Sequence, residues 1–147
     1  MFARPDYQAD LAVDRNAHHR LLPDVSAVAD PFTGVQIVIG QNWMLGGGTS
    51  QAAPIWAGVT ALMNQYIVDN GGQAIGHINP LLYRLARGSR LPGFRDITVG
   101  ANAVDIPVKG YDLVTGLGSP NVSNLARNLL DAQKAQLAAT DYLPSGG

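Results

Sequence analysis

The sequence contains no cysteine, which excludes disulfides and thiolate metal centres and leaves the redox compartment unread. It contains no glutamate either: the 11 acidic residues are all aspartate. A mechanism that needs a glutamate therefore cannot be run by these residues alone. Charge is sparse, at 14% of residues, and almost balanced, with a formal net charge of -1 and no run of lysine or arginine. Neither nucleic acid nor an anionic membrane is an expected partner for such a surface. No apolar run is long enough to cross a bilayer, and the opening residues, Met1 to Asp6, lack the apolar core of a signal peptide. Read literally, the chain is expected to stay where it is made. At 147 residues it is expected to form a single domain, 1-147, with a modest core.

What is present centres on Gly46-Gly47-Gly48-Thr49-Ser50-Gln51-Ala52-Ala53-Pro54, where a glycine run stops at a Thr-Ser pair and an apolar helix begins. Glycine allows turns closed to other residues and lets a second chain segment approach. Ser50 falls at or just before the first helical turn, where free N–H groups and the helix dipole favour negative charge. Ser50 has two readings there: an N-cap that satisfies orphan N–H groups, or a nucleophile aimed at a carbonyl. Pro54 is compatible with both, since proline is tolerated in a first turn. Ile55, Trp56, Val59, Leu62, Met63, Tyr66 and Ile67 recur at the spacing of one helical face, and Ala52, Ala53, Ala57, Gly58 and Ala61 keep the other face small. The pattern predicts a helix buried on most sides, ending near Asp69-Asn70-Gly71-Gly72.

Upstream, residues 1–20 read as a loop or extended arm, with His18-His19 as a solvated pair rather than a zinc site. Pro23 to Pro31 reads as a short strand-like run closed by Asp30-Pro31. Gly34 to Gly40 is a β-branched run, Gln41-Asn42 a turn, and Trp43-Met44-Leu45 a return strand, so a β-hairpin is expected to deliver Ser50 to its place. Downstream, Asn79 and Pro80 predict the cap and first position of a helix reaching Arg87. His77 lies in the loop before it, about 30 Å of helix away from Ser50 at the usual rise per residue. Residues 88–120 are irregular and glycine-rich. Ser119 and Pro120 are expected to open a last helix, with Val122, Leu125, Ala126, Leu129 and Leu130 as its apolar stripe, followed beyond about Gln136 by a frayed polar tail.

Within the irregular stretch, Asp96 and Asp112 either cap local N–H groups or supply oxygen to a cation. With the carbonyls of Ile97, Val108 and Gly110 and water they make an oxygen-only shell suited to calcium, although the pattern is not an EF-hand.

The string Gly-Thr-Ser-x-x-x-Pro resembles the nucleophile segment of subtilisin-like serine peptidases. The ordered set Pro23-Asp24-Val25-Ser26, Ala29-Asp30-Pro31, Gly47-Gly48-Thr49-Ser50 with Pro54, Asn79-Pro80-Leu81-Leu82-Tyr83, Asp96-Ile97-Thr98, and Gly110-Tyr111-Asp112 with Thr115-Gly116-Leu117-Gly118 resembles more specifically the sedolisins, the serine-carboxyl peptidases. The resemblance runs from about residue 4 to residue 130. It implies an α/β architecture that is the C-terminal part of a subtilisin-like fold: hairpin, nucleophile helix, two further helices and calcium loop, with the central parallel sheet mostly missing. It implies Ser50 as the catalytic nucleophile, with its N–H in the oxyanion hole, and calcium held by Asp96, Ile97, Val108, Gly110 and Asp112. At position 108 the family usually carries glycine and this chain carries valine. The family's base is a glutamate paired with an aspartate, and a further aspartic acid stabilises the oxyanion; none of the three has a counterpart here. The 147 residues are therefore expected to be inactive alone and to cleave a peptide or protein substrate only when completed by an N-terminal part. The alternatives are a non-catalytic calcium-stabilised binding module, or a homo-oligomer formed through exposed strands. Family members are usually secreted or lysosomal, and the compartment of this chain is left open.

Overall fold

The computed structural model describes residues 2–11, 13 and 18–141, the last four by backbone only. A single 3-10 turn, Asp6–Gln8, opens the chain. It is followed by β1 (Val35–Ile39), β2 (Asn42–Gly46), α1 (Thr49–Asp69), α2 (Asn79–Arg87), β3 (Phe94–Arg95), β4 (Ser119–Pro120) and α3 (Val122–Asp141). β1 and β2 form the expected antiparallel hairpin, with Val35 opposite Gly46 and Ile39 opposite Asn42, so that the turn is Gly40-Gln41 rather than Gln41-Asn42, with Gly40 left-handed at φ 64°. β3 and β4 make a second small antiparallel pair that joins the two ends of the irregular stretch. Among the described residues no two strands pair in parallel, and no helix is long and apolar enough to cross a membrane.

The core lies where the three helices meet. Met63 and Ile67 of α1 pack with Leu82 and Leu85 of α2, with Ile75 before it, and with Leu125, Ala126, Leu129 and Leu130 of α3. The expected stripe of α3 is thus the buried one. α1 ends as its glycines require: Gly71 turns left-handed at φ 81°, and the N–H groups of Gly71 and Gly72 return to the carbonyls of Val68 and Ile67.

A second, smaller cluster of Leu21, Tyr83 and Tyr111 sits beside a buried polar hub. Gln8, wholly buried, donates from Nε2 to the Leu21 carbonyl at 3.1 Å, to Tyr83 Oη at 2.8 Å and to Asp24 Oδ1 at 3.3 Å. Its Oε1 accepts the Leu21 N–H at 3.0 Å. Asp24 also accepts from Tyr83 Oη, from Asn79 Nδ2 and from the Arg20 guanidinium. The N-terminal arm is thereby stitched to α2 through the last residue of its 3-10 turn.

Several expectations are corrected. α1 is not buried on most sides: only Met63 and Ile67 are fully covered, while Ala53, Ala57, Gly58, Ala61, Leu62 and Tyr66 face outward. Its small-residue face has nothing packed on it among the described residues. Residues 23–31 form no strand, because their backbone bonds go to scattered partners, the Ser26 N–H to the Gly118 carbonyl and the Asp24 carbonyl to the Leu117 N–H. Asn79 does not cap α2, since its side chain is drawn to Asp24. Ser119 does not cap α3 either: it is taken into β4, and Asn121 receives the Asn124 N–H instead. α3 runs through Gln136 to Asp141, and the rest of the predicted tail lies outside the described residues.

Candidate active site

The turn between β2 and α1 is built from close backbone approach. A Cβ on Gly47 would lie 2.4 Å from the Pro31 nitrogen and 2.5 Å from its Cα, so only hydrogen fits between the two segments. Gly48 has φ 115° and ψ 163°, a region essentially closed to residues with a side chain. Its N–H is given to the Ala29 carbonyl, and its own carbonyl accepts the N–H groups of Gln51 and Ala52.

This geometry sets aside the capping reading of Ser50. Gly48 is the N-cap of α1, and no side chain caps the helix. Ser50 is the second helical residue and is exposed. Among the described residues neither its hydroxyl nor its N–H has a partner. A free hydroxyl beside a free N–H at the positive end of a 21-residue helix can attack a carbonyl and receive the resulting oxyanion.

A base is what the site lacks. Among the described residues no histidine or carboxylate is bonded to Ser50. His77 stacks edge-on to Tyr7 with ring centroids 6.3 Å apart, beyond the far end of α1, and His18 and His19 are exposed. Asp30, on the segment packed against Gly47, is already committed. Its Oδ1 accepts the Phe32 N–H at 3.2 Å, and its Oδ2 accepts the Thr33 N–H at 3.0 Å and the Thr33 hydroxyl. Those bonds, the Thr33 hydroxyl first, hold its carboxyl below the usual carboxylate range, so it is a weak proton acceptor.

The second candidate site is the loop from Asp96 to Asp112. Both aspartates converge on one short segment: Asp96 Oδ2 accepts the Gly110 N–H at 2.9 Å, and Asp112 Oδ2 accepts the Val108 N–H at 3.2 Å. Asp112 is buried and also gathers the N–H groups of Val114 and Thr115 and the Thr115 hydroxyl, whereas Asp96 is exposed. Among the described residues neither forms an ion pair. What both carboxylates meet in that segment is N–H groups, so a hard, oxygen-seeking cation there would compete with these hydrogen bonds for their oxygens. The left-handed residue of the segment is Gly110, at φ 87°. Among the described residues no three His, Cys, Asp or Glu side chains cluster, so a cation there would lean on carbonyls. Tyr111, between them, is buried with no partner for its hydroxyl, and burial pushes its phenol up to about 12.

Sequence reasoning missed two features that hold this arrangement, the Gln8 hub and the lock between Pro31 and Gly47. Gln8 belongs to no motif, and Asp24, Pro31 and Gly47 stand out only as motif positions, because the contacts that matter span 13 to 75 positions for Gln8.

No protein-family model matches the chain. It is 36% identical over 148 residues to kumamolisin of Bacillus sp. (strain MN-32), covering 92% of this chain and 25% of that protein. Tripeptidyl-peptidase 1 of Dictyostelium discoideum is 34% identical over 88% of the chain, and the human protein of that name 31% identical over 89%. The chain spans about a quarter of the length of these relatives, 24% and 26% in the last two cases. Among solved structures it superposes on Pseudomonas sedolisin, a serine-carboxyl proteinase complexed with two molecules of pseudo-iodotyrostatin, with a TM-score of 0.75 and 27% identity, over 88% of this chain and 34% of that one.

Proposed function

This chain belongs to the sedolisin family, the serine-carboxyl peptidases, and we propose that it is the C-terminal, nucleophile-bearing portion of such a peptidase domain, with Ser50 as the attacking group. The observation that carries this reading is the position of Ser50: second residue of α1, exposed, with hydroxyl and N–H both unpaired among the described residues, behind a glycine turn.

In the proposed reaction Ser50 Oγ adds to the carbonyl carbon of the scissile peptide bond and passes its proton to a carboxylate base. The oxyanion is received by N–H groups at the start of α1. The intermediate collapses with loss of the amine, which takes up a proton, and water then hydrolyses the ester. The base comes from outside these residues, none of which is glutamate. A carboxylate base permits work at acid pH, where a histidine would be protonated and idle. These 147 residues alone hydrolyse nothing at a useful rate, since losing the base costs orders of magnitude. Calcium, held by Asp96 and Asp112 and the carbonyls of Ile97, Val108 and Gly110, would fasten the loop and take no part in bond-breaking.

The test is peptide cleavage near pH 4 with calcium present, by the chain alone and after co-expression with an upstream sedolisin-type segment, each beside Ser50→Ala. Cleavage only by the completed form, abolished by Ser50→Ala, is the expected result. Cleavage indifferent to Ser50→Ala sinks the assignment, and Ser50-dependent cleavage by the chain alone would mean that an aspartate serves as base. The exposed apolar side chains of the hairpin, with Trp43 72% and Met44 51% accessible, support a second reading in which two copies pair. Sedimentation of the chain as a monomer would exclude it.

A further inference from the structure

Asp30 is exposed and belongs to no regular element, yet its carboxylate closes the turn 30–33 through three bonds, to the Phe32 N–H, the Thr33 N–H and the Thr33 hydroxyl. An aspartate that accepts from residues two and three positions on is the general way such a turn is fixed. What matters is where this turn sits.

The residues it immobilises touch the hairpin and the helix start together. The Pro31 nitrogen and Cα stand 2.4 and 2.5 Å from where a Cβ on Gly47 would be, and the Asp30 carbonyl oxygen stands 2.6 Å from where a Cβ on Gly34 would be. Immediately before it, the Ala29 carbonyl accepts the Gly48 N–H. Residues 29–31 therefore wedge between the residue that enters β1 and the two residues that lead into α1. Among the described residues no other acceptor holds Gly48 on its N–H side. The direction in which Gly48 leaves fixes where the Thr49 and Ser50 N–H groups point.

We propose that Asp30 is a positioning residue for Ser50: its carboxylate-closed turn braces the glycine turn and so aims the hydroxyl and N–H groups at the start of α1. The proposal rests on the reading of Ser50 as nucleophile. A base role for Asp30 is ruled out by the same bonds that make it a brace. Those bonds, the Thr33 hydroxyl first, also hold its carboxyl below the usual carboxylate range.

The test follows amide hydrogen exchange by NMR in the full chain, which reads the brace without any catalysis. Asp30→Ala is expected to speed exchange at Gly48 by about tenfold or more while the α3 core amides, Leu129 among them, keep their rates. Asp30→Asn, which retains a side-chain carbonyl acceptor, is expected to restore the Gly48 rate to within about threefold of the parent. Thr33→Val, which removes only the hydroxyl bond, gives a smaller increase and serves if Asp30→Ala does not fold. Unchanged exchange at Gly48 overturns the proposal, as does equal acceleration at Gly48 and in α3, which is what general destabilisation produces. In the completed peptidase Asp30→Ala should lower kcat with KM little changed; if exchange responds and no cleavage is ever restored, the peptidase reading fails and the brace survives.

Discussion

Gln8 offers the sharpest test of how this small domain is held together. Replacing it with alanine removes a wholly buried amide that makes four hydrogen bonds. Not all of its partners are orphaned. The Leu21 carbonyl keeps the Arg20 guanidinium at 2.7 Å, and the Tyr83 hydroxyl keeps Asp24 at 2.8 Å. The Leu21 N–H has no other acceptor among the described residues and is left bare in a dry site, at a cost of about 1–3 kcal/mol, to which the emptied volume adds about 1 kcal/mol. Gln8→Ala should therefore destabilise by roughly 3 kcal/mol, or about 6–12 °C in melting temperature for a domain of this size. Gln8→Glu adds a pH signature. It sets a carboxylate oxygen where Nε2 now stands, 3.3 Å from Asp24 Oδ1. Repulsion raises the introduced acid above its ordinary value of about 4.3 in the folded state only. The folded protein then holds a proton that the unfolded chain has released, so stability falls as pH rises above about 4.3 and returns below it. The loss is about 1.4 kcal/mol for each tenfold gain in the acid's proton affinity on folding. Urea unfolding followed by circular dichroism between pH 3.5 and pH 7 would show this. A Gln8→Ala variant within about 1 kcal/mol of the parent, or a Gln8→Glu deficit that is flat with pH, would refute the account of the hub.

Two further predictions follow from the core and the loop. Leu125 is fully buried between the helices, so Leu125→Ala should cost about 3 kcal/mol in urea unfolding, and a loss under about 1 kcal/mol would mean that α3 is not packed as described. Calcium should raise the melting temperature of the parent, by about 2.7 kcal/mol of stabilisation at a hundred times its dissociation constant. Asp96→Asn should lose that response without altering melting in chelator, because Asp96 is exposed and asparagine can still accept the Gly110 N–H. An equal calcium response in both proteins would remove Asp96 from the ligand set.

The hairpin, the three helices and the α3 stripe are legible in the sequence because each follows from local periodicity and glycine placement. The ends of the helices are less so. Asn79 and Ser119 have the chemistry of caps, but a carboxylate 55 residues away claims Asn79, and Ser119 is claimed by a strand partner 24 positions away, across the Arg95↔Ser119 pair. The exposure of α1 is hidden for a different reason. An apolar helical face predicts a cover, and among the described residues most of this one has none. Ser50 is legible as a candidate from its string alone; the start of α1 at Gly48, which discards the capping alternative, is not.

The way α1 is fastened bears on accuracy as well as on stability. Its fully buried residues, Met63 and Ile67, lie in the C-terminal half, and Ser50 projects from the other end, about 20 Å of helix beyond Met63. The helix is a cantilever, clamped at the core and loaded at the tip. A tilt of about 5° at the clamp would carry the tip roughly 1.7 Å, and a misplacement of about 1 Å is enough to cost on the order of a hundredfold in rate. The Trp56 indole bond to the Ser26 carbonyl steadies the shaft in between, and residues 29–31 hold the tip itself through Gly47 and Gly48. Anything packed along the bare alanine and glycine face would therefore do more than hide it: it would add a bearing along the shaft, between the clamp at the core and the brace at the tip.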